Sequence, residues 1–152
     1  MDTDKRLAAL GIELPTAAAA LASYVQTVRQ GDVVYVSGQL PLIDGKLIKT
    51  GKLGTEVSLE QGMHAARQCA INALSVLKAE VGNLSRISRI VKLTGFIASS
   101  PEFSAHPQVI NGASELLLLV FGDAGRHACS VVGVANLPLN APIEIEMIVG
   151  VV

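Results

Sequence analysis

The strongest constraint on the fold is a segment rich in alanine that begins at Ser58. Ser58 and Gln61 have the spacing of a capping box, which predicts the first turn of an α-helix, and Gly82-Asn83 predicts its end. Apolar residues recur between them at the intervals of three and four that mark one helix face: Met63, Ala66, Ala70, Ala73, Leu74, Leu77 and Val81. Because these side chains are mostly small, the helix is expected to pack closely on a sheet.

Short apolar runs on both sides of this helix predict the strands of that sheet. A second helix is predicted over Pro107–Phe121, with proline in its first turn. The predicted strands are Tyr24–Arg29, Val33–Val36, Arg89–Ala98, Ala128–Ala135 and Ile143–Val152. The order β-β-α-β-α-β-β predicts an α+β fold, with one sheet and both helices on the same face.

Three finer predictions concern the connections and one strand face. Ser37–Pro41 is predicted to end the second strand, and residues 42–57 are predicted to form a loop. In the middle strand Val91, Leu93, Gly95 and Ile97 are predicted to form the apolar side. We interpret residues 1–152 as a single domain with residues 1–20 as an N-terminal extension.

Composition and charge exclude several classes of function. Half of the residues are apolar, only 16% are charged, and the net charge is −1. Without a basic run, a nucleic-acid-binding domain is disfavoured. No apolar run approaches the ~18 residues of a membrane span, and no signal peptide is recognisable, so a cytoplasmic protein is expected. Low charge on a small apolar domain also favours an oligomer.

Metal and disulfide chemistry are not predicted. Cys69 and Cys129 lie far apart and lack the spacing of metal ligands, which favours a reduced intracellular protein. His64 and His106 have no acidic or cysteine partner at ligand spacing.

The last 28 residues, Gly125–Val152, combine two apolar strands with a few polar groups. Glu144 and Glu146 share one face of the final strand, opposite Ile143, Ile145 and Met147. Two interpretations are open for these carboxylates: a solvated sheet face, or a cleft in which a carboxylate acts on a water molecule.

Three parts of the chain together resemble a known family. They are Ser37-Gly38-Gln39-Leu40-Pro41, the long helix from Ser58, and Leu137-Pro138 followed by Ile143-Glu144-Ile145-Glu146. The chain is similar, over about residues 20–152, to the reactive intermediate/imine deaminase (Rid or YjgF) family, also described as L-PSP endoribonuclease-like. The resemblance implies a chorismate-mutase-like mixed sheet and a homotrimer with small-molecule sites in the clefts between subunits. It also implies hydrolysis of enamines or imines to carbonyl compounds and ammonia, without a metal or organic cofactor.

The resemblance also implies the residues of the site. Tyr24 matches a tyrosine that lines the cleft from the first strand, and Gly38 matches a glycine whose backbone faces the ligand. Asn111 falls near an asparagine of the second helix, and Val131 is a further predicted substrate contact. Glu146, the second acid of Glu-Ile-Glu, matches the glutamate that positions the attacking water.

Position 129 departs from the family pattern. Counted back from Leu137-Pro138, it should hold the arginine that binds a substrate carboxylate, but it holds Cys129. A cysteine lacks the planar fork of arginine, and losing such a clamp costs a few kcal/mol of binding. Cys129 is interpreted as a small buried residue, or alternatively as a thiolate activated by His127 two residues away. Arg126 would point to the opposite side of the strand.

Two functions therefore remain open, with a third ranked below them. The first is a hydrolase acting on the C–N bonds of enamines or imines, with Glu146 as the catalytic residue. The alternative is a non-catalytic protein that binds a metabolite in the same cleft. A nuclease function ranks last because no basic surface lined with aromatic residues is predicted.

Overall fold

The computed structural model describes residues 2–20 and 22–152; Met1 of the predicted extension and Leu21 lie outside the described residues. Short 3₁₀ turns precede β5, β6 and β7. In chain order the helices and strands are α1 (Thr3–Ala9), β1 (Thr27–Gln30), β2 (Val33–Gln39), β3 (Leu42–Ile43), β4 (Lys46–Leu47), α2 (Leu59–Val81), β5 (Ile87–Ala98), α3 (His106–Phe121), β6 (Ala128–Val134) and β7 (Ile143–Val151).

Helix α2 begins and ends where the sequence predicts. The Ser58 hydroxyl accepts a hydrogen bond from the Gln61 N–H at 3.2 Å, and the Gln61 side chain accepts one from the Ser58 N–H at 2.9 Å. These two bonds satisfy donors that the first helical turn leaves free. Gly82 ends the helix with a φ of 81°, a backbone conformation that favours glycine.

One five-stranded sheet carries the fold, in the order β1-β2-β7-β5-β6. The β5–β6 pair is parallel and the other pairs are antiparallel. Helices α2 and α3 pack on each other and on the same face of this sheet, which buries strand residues such as Val34, Leu93 and Ile145. The predicted mixed α+β architecture is confirmed, and none of the described helices covers the other sheet face.

The predictions for residues 24–57 need three corrections. Strand β1 begins at Thr27, so Tyr24 precedes it. Strand β2 continues to Gln39 and does not end at Ser37. Its pairing with β7 is interrupted by a bulge between Val36 and Gln39, which contains Gly38, and resumes at Gln39. The predicted loop contains a small hairpin, β3–β4, whose turn at Asp44-Gly45 has positive φ at both residues.

A second bulge changes the predicted faces of β5. Its pairing with β7 shifts register between Ile90 and Lys92. Ile90 is consequently buried and Val91 is 40% exposed, so the prediction for Val91 is wrong. Beyond the bulge, Leu93, Gly95 and Ile97 face the helices as predicted.

The N-terminal extension packs along the two helices. Leu7 and Ile12 are buried. Arg6 donates a hydrogen bond to the Val120 carbonyl at 3.1 Å, and Lys78 pairs with Asp4 at 3.1 Å. Because that ion pair is partly exposed, it contributes little to stability, and the apolar contacts hold the extension.

Gly112→Ala is expected to lower the free energy of unfolding by about 2–3 kcal/mol. A β-carbon at position 112 would lie 1.9 Å from the Met63 carbonyl oxygen, where α2 and α3 cross. Separating the helices costs more than the roughly 1 kcal/mol that alanine gains in helix propensity. Urea unfolding at fixed protein concentration measures the effect, with the exposed Gln108→Ala on the same helix as control. Equal stability of the two variants would contradict this packing.

Candidate functional site

The two acids of β7 lie on the uncovered face of the sheet. Ile143, Ile145 and Met147 are buried against the helices, which confirms the predicted alternation. Between them Glu144 is half-buried and Glu146 is exposed. Glu146 pairs with Thr94 across β5–β7, and Glu144 pairs with Phe96.

Gly38 lies directly against the side chain of Glu144. It sits in the bulge of β2, where a β-carbon would come within 2.7 Å of the Glu144 Cδ and 2.9 Å of its Oε2. Burial raises the pKa of Glu144, and the negative charge of Glu146 raises this pKa further. A carboxylate with a raised pKa is a better proton acceptor near neutral pH. Sequence reasoning named Gly38 but not its proximity to Glu144, although both acids were visible as a pair.

Tyr24 lies in the irregular segment before β1 and is 48% exposed. The residues that follow it are hydrogen-bonded to the β2 bulge. Ser37 donates its hydroxyl to the Val25 carbonyl at 2.6 Å and its N–H to the Gln26 carbonyl at 2.8 Å. These two hydrogen bonds hold Val25 and Gln26 beside Ser37 and Gly38, and Tyr24 directly precedes Val25 in the chain.

Glu146 lines a cavity of about 260 Å³ on the uncovered face. Tyr35, Ser37 and Thr94 contribute the other polar groups of this cavity, and Val28 contributes apolar surface. Sequence reasoning did not select these residues, because their neighbourhood depends on strand order. The alternation of β2 was the one signal that placed Tyr35 on an exposed face.

The remaining predicted residues lie near the helix side of the edge strand β6, where this strand meets α3. Cys129 pairs with the buried Leu93, and Val131 pairs with Gly95, so both side chains are on the side of α3. A β-carbon on Gly95 would meet Ile110 at 2.5 Å and Val131 at 3.3 Å. We use the name α3–β6 groove for this junction of α3 and β6, which includes Ser99, His106, Asn111, Cys129, Val131 and Gly133.

Asn111 borders this groove from α3. It lies one turn before Ser114 on the same helix face, and Ser114 hydrogen-bonds His127 immediately before β6. Asn111 is exposed. The structure therefore places Asn111 on the same face of α3 as Ser114, the face whose Ser114 contacts the residue before β6.

Cys129 is exposed, so its interpretation as a small buried residue is wrong. Position 129 is on an edge strand that α3 covers only in part. Partial burial nevertheless raises the pKa of the Cys129 thiol, against the opposing charge of Lys92. Both ring nitrogens of His127 are engaged, since Nδ1 donates to the Gly125 carbonyl at 2.7 Å and Nε2 is hydrogen-bonded to the Ser114 hydroxyl at 2.9 Å. This arrangement gives no support to a thiolate activated by His127.

Arg126 does not replace the missing arginine in the groove. It precedes β6, and its guanidinium lies 3.4 Å from the carboxylate of Asp123. Both side chains are largely exposed, so this pair is weak.

The sheet separates the predicted residues into two groups. Glu144 and Glu146 are on the uncovered face of β7, while Cys129 and Val131 are on the helix side of β6. Strand β5 lies between these two strands, which places the groups about 10 Å apart across the sheet as well as on opposite faces. A small ligand that touches both groups therefore needs two copies of the chain.

Two other kinds of site are not found in residues 2–20 and 22–152. No three side chains of histidine, cysteine, aspartate or glutamate cluster there in a way that would hold a metal ion. No described helix is long and apolar enough to cross a bilayer.

The chain is similar in sequence and in structure to several known proteins. The family model described as YjgF/chorismate mutase-like, putative endoribonuclease, matches residues 4–149. Protein TCP17 of Trypanosoma cruzi is 47% identical over 92% of this chain and 88% of its own length. A 2-iminobutanoate/2-iminopropanoate deaminase of Salmonella typhimurium is 33% identical over 90% of this chain and 94% of its own. The crystal structure of an endoribonuclease-like protein from Shewanella oneidensis superposes with a TM-score of 0.97 at 36% identity, over 99% of this chain and 100% of the other.

Proposed function

Because the chain belongs to the YjgF/chorismate mutase-like family, we propose that it hydrolyses small enamines or imines in a cleft built by two copies. The observation that carries this proposal is the half-buried Glu144 carboxylate against Gly38, with its raised pKa. The similarity to a 2-iminobutanoate/2-iminopropanoate deaminase supports the reaction class.

The chemistry requires one proton acceptor beside an electrophilic carbon. Water adds to the carbon of the C=N bond, and Glu144 takes the proton that the water loses. Glu144 returns this proton to the nitrogen, which gives a carbinolamine. The hydroxyl proton of the carbinolamine then moves to the nitrogen as the C–N bond breaks, and a carbonyl compound and ammonia leave. The sequence prediction gave this role to Glu146. We assign it to Glu144 because Glu144 is the more buried acid, while the charge of Glu146 keeps the pKa of Glu144 raised.

The other predicted residues then fall into two parts of one cleft. Tyr24 and Gly38 belong to the carboxylate part, together with Glu144 and Glu146. Asn111, Cys129 and Val131 belong to the α3–β6 groove of a neighbouring copy. We propose the homotrimer implied by the resemblance as the assembly that joins the two parts. Exposed apolar side chains on the uncovered face and edge strand, including Val28, Tyr35 and Val132, support such an assembly.

A non-catalytic metabolite-binding protein is the second candidate. Cys129 favours it, because an uncharged thiol at this position cannot clamp a substrate carboxylate. Such a protein would be stabilised by its ligand without turning it over.

We expect the folded protein to release ammonia from ketimines generated in situ at a rate above the buffer reaction. Two matched substrates are compared, one with a carboxylate and one without. Light scattering on the same protein sample is expected to give the mass of a trimer. No rate above background with either substrate from a trimer would refute the hydrolase. A ligand-induced rise in melting temperature without turnover would favour the binding protein, and a monomeric mass would remove the shared cleft.

A further inference from the structure

Two glutamine side chains hydrogen-bond to each other beside the bulge of β2. The Gln39 Nε2 donates to the Gln26 Oε1 at 2.8 Å and to the Ser37 carbonyl at 3.0 Å. The Gln26 Nε2 in turn donates to the Ala18 carbonyl at 2.8 Å. Because a backbone carbonyl can only accept, these contacts fix which end of each amide is the donor. The two amides therefore form one chain of hydrogen bonds from the bulge to the segment before β1.

Gln39 is buried on a strand whose other buried side chains are apolar. It is only 4% exposed, and Val34 and Val36 of the same strand are also buried. A buried amide costs free energy unless it is hydrogen-bonded, whereas an apolar side chain of the same size needs no partner. Packing alone therefore does not explain a glutamine at position 39.

The residues on both sides of Gly38 are hydrogen-bonded to the segment before β1. Ser37 precedes Gly38 and donates to the Val25 and Gln26 carbonyls. Gln39 follows Gly38 and donates to the side chain of Gln26. Glycine has no side chain of its own to pack, so its neighbours determine where its backbone lies. The backbone of Gly38 is therefore held from both sides.

The position of Gly38 determines how closely the backbone covers the Glu144 carboxylate. A β-carbon at position 38 would lie 2.7 Å from the Glu144 Cδ, so the backbone passes this carboxylate at close range. Burial is the first cause of the raised pKa of Glu144. A bulge that moved away would admit water, and the pKa of Glu144 would then fall toward its ordinary value.

We propose that Gln26 and Gln39 are positioning residues for the Glu144 carboxylate and act through the backbone of Gly38. The inference rests on the proposed function, in which Glu144 is the proton acceptor. The hydrogen bonds of the two amides go to each other and to backbone carbonyls, so their effect on Glu144 is indirect. The segment before β1 thereby contributes to the basicity of Glu144.

The titratable groups around Glu144 are the same with or without the glutamine pair. Glu146 on the same strand raises the pKa of Glu144 by its charge. On α2, burial and then the charge of Glu144 raise the pKa of the Cys69 thiol. The neighbours on β5 and β2, Phe96 and Gly38, do not titrate. A change in the pKa of Glu144 on loss of the pair therefore reports the position of the bulge.

The direct readout is the pKa of Glu144, measured by ¹³C NMR of the glutamate carboxyl carbons as a function of pH. Glu144→Gln identifies the signal. Gln26→Met and Gln39→Met nearly keep the side-chain volume but remove the hydrogen bonds of each amide. Each is expected to lower the pKa of Glu144 toward the ordinary value of a glutamate, because the relaxed bulge admits water. Gln108→Met, at an exposed position of α3, is the matched control and should leave this pKa unchanged.

The double variant tests whether the two glutamines act through their shared bond. Gln26→Met combined with Gln39→Met should lower the pKa of Glu144 by clearly less than the sum of the two single effects, since either change breaks the same bond. Each single variant is also expected to lower kcat by about threefold to tenfold, the contribution of one hydrogen bond. KM should stay nearly unchanged, and the acid limb of kcat/KM should move to lower pH. A purely structural role would lower the melting temperature and leave the acid limb in place.

The inference is overturned if the pKa of Glu144 in the folded variants equals that of the wild type. An equal fall of this pKa in Gln108→Met, or the full sum of the single effects in the double variant, would overturn it as well. Gln26 is only half-buried, so Gln26→Met decides the question if Gln39→Met does not fold. The titration needs no turnover. A fall in the pKa of Glu144 in a protein that releases no ammonia would refute the hydrolase and leave the positioning of the carboxylate intact.

Discussion

Glu144→Gln is expected to lower kcat/KM for imine hydrolysis by about 10²–10³-fold, the usual contribution of a positioned general base. Glutamine keeps the size of the side chain and its contact with Gly38, but its amide cannot accept the proton of the attacking water. Glu146→Gln is expected to cost no more than about tenfold, because Glu146 acts through its charge. Steady-state kinetics on trimers of equal melting temperature make the comparison, with Glu80→Gln on the exposed end of α2 as control.

The two acids are also expected to differ in their effect on pH dependence. A proton acceptor works in its ionised form, so activity falls as the pH drops through its raised pKa. The charge of Glu146 is one of the two causes that raise the pKa of Glu144. Glu146→Gln should therefore move the acid limb of kcat/KM to lower pH. A larger loss of rate from Glu146→Gln than from Glu144→Gln would return the catalytic role to Glu146, as the sequence resemblance had it.

Local patterns in the sequence were sufficient for much of the fold. The bounds of α2 follow from Ser58, Gln61 and Gly82, because capping depends on neighbours in the chain. The alternation of β7 likewise follows from residue spacing alone, since it places Glu144 and Glu146 opposite the buried side of the strand.

The features that local patterns missed depend on pairing between distant strands. The bulge of β2 places Gly38 against Glu144, and it exists only because β2 pairs with β7. The bulge of β5 likewise depends on pairing with β7. It buries Ile90 and exposes Val91, the reverse of what residue alternation predicts.

The resemblance named six candidate residues but not their arrangement. The sheet places Glu146 on its uncovered face, and it places Cys129 and Val131 on its helix side. The strand order that produces this division, with β5 between β7 and β6, cannot be read from spacing. The hydrogen bond between Ser99 and His106 was missed because Ser99 follows β5 and His106 begins α3.

The division of the site between two copies is the central claim, and a complementation assay tests it. Glu144→Gln disables the carboxylate part, and Cys129→Trp fills the groove from an exposed position. Each variant alone is expected to be inactive. When equal amounts of the two variants assemble at random, a site is intact if its carboxylate part comes from a Cys129→Trp chain and its groove from a Glu144→Gln chain. About a quarter of all sites meet this condition.

The direct measurement is the ammonia-release rate of the two variants refolded together, with mixed trimers verified by native mass spectrometry. Glu144→Gln refolded with Gly38→Ala is the matched control, because both changes lie in the carboxylate part and no site is restored. We expect recovery of about a quarter of the wild-type rate for the first pair and none for the control. Mixed trimers of Glu144→Gln and Cys129→Trp that stay as inactive as their parents would contradict it.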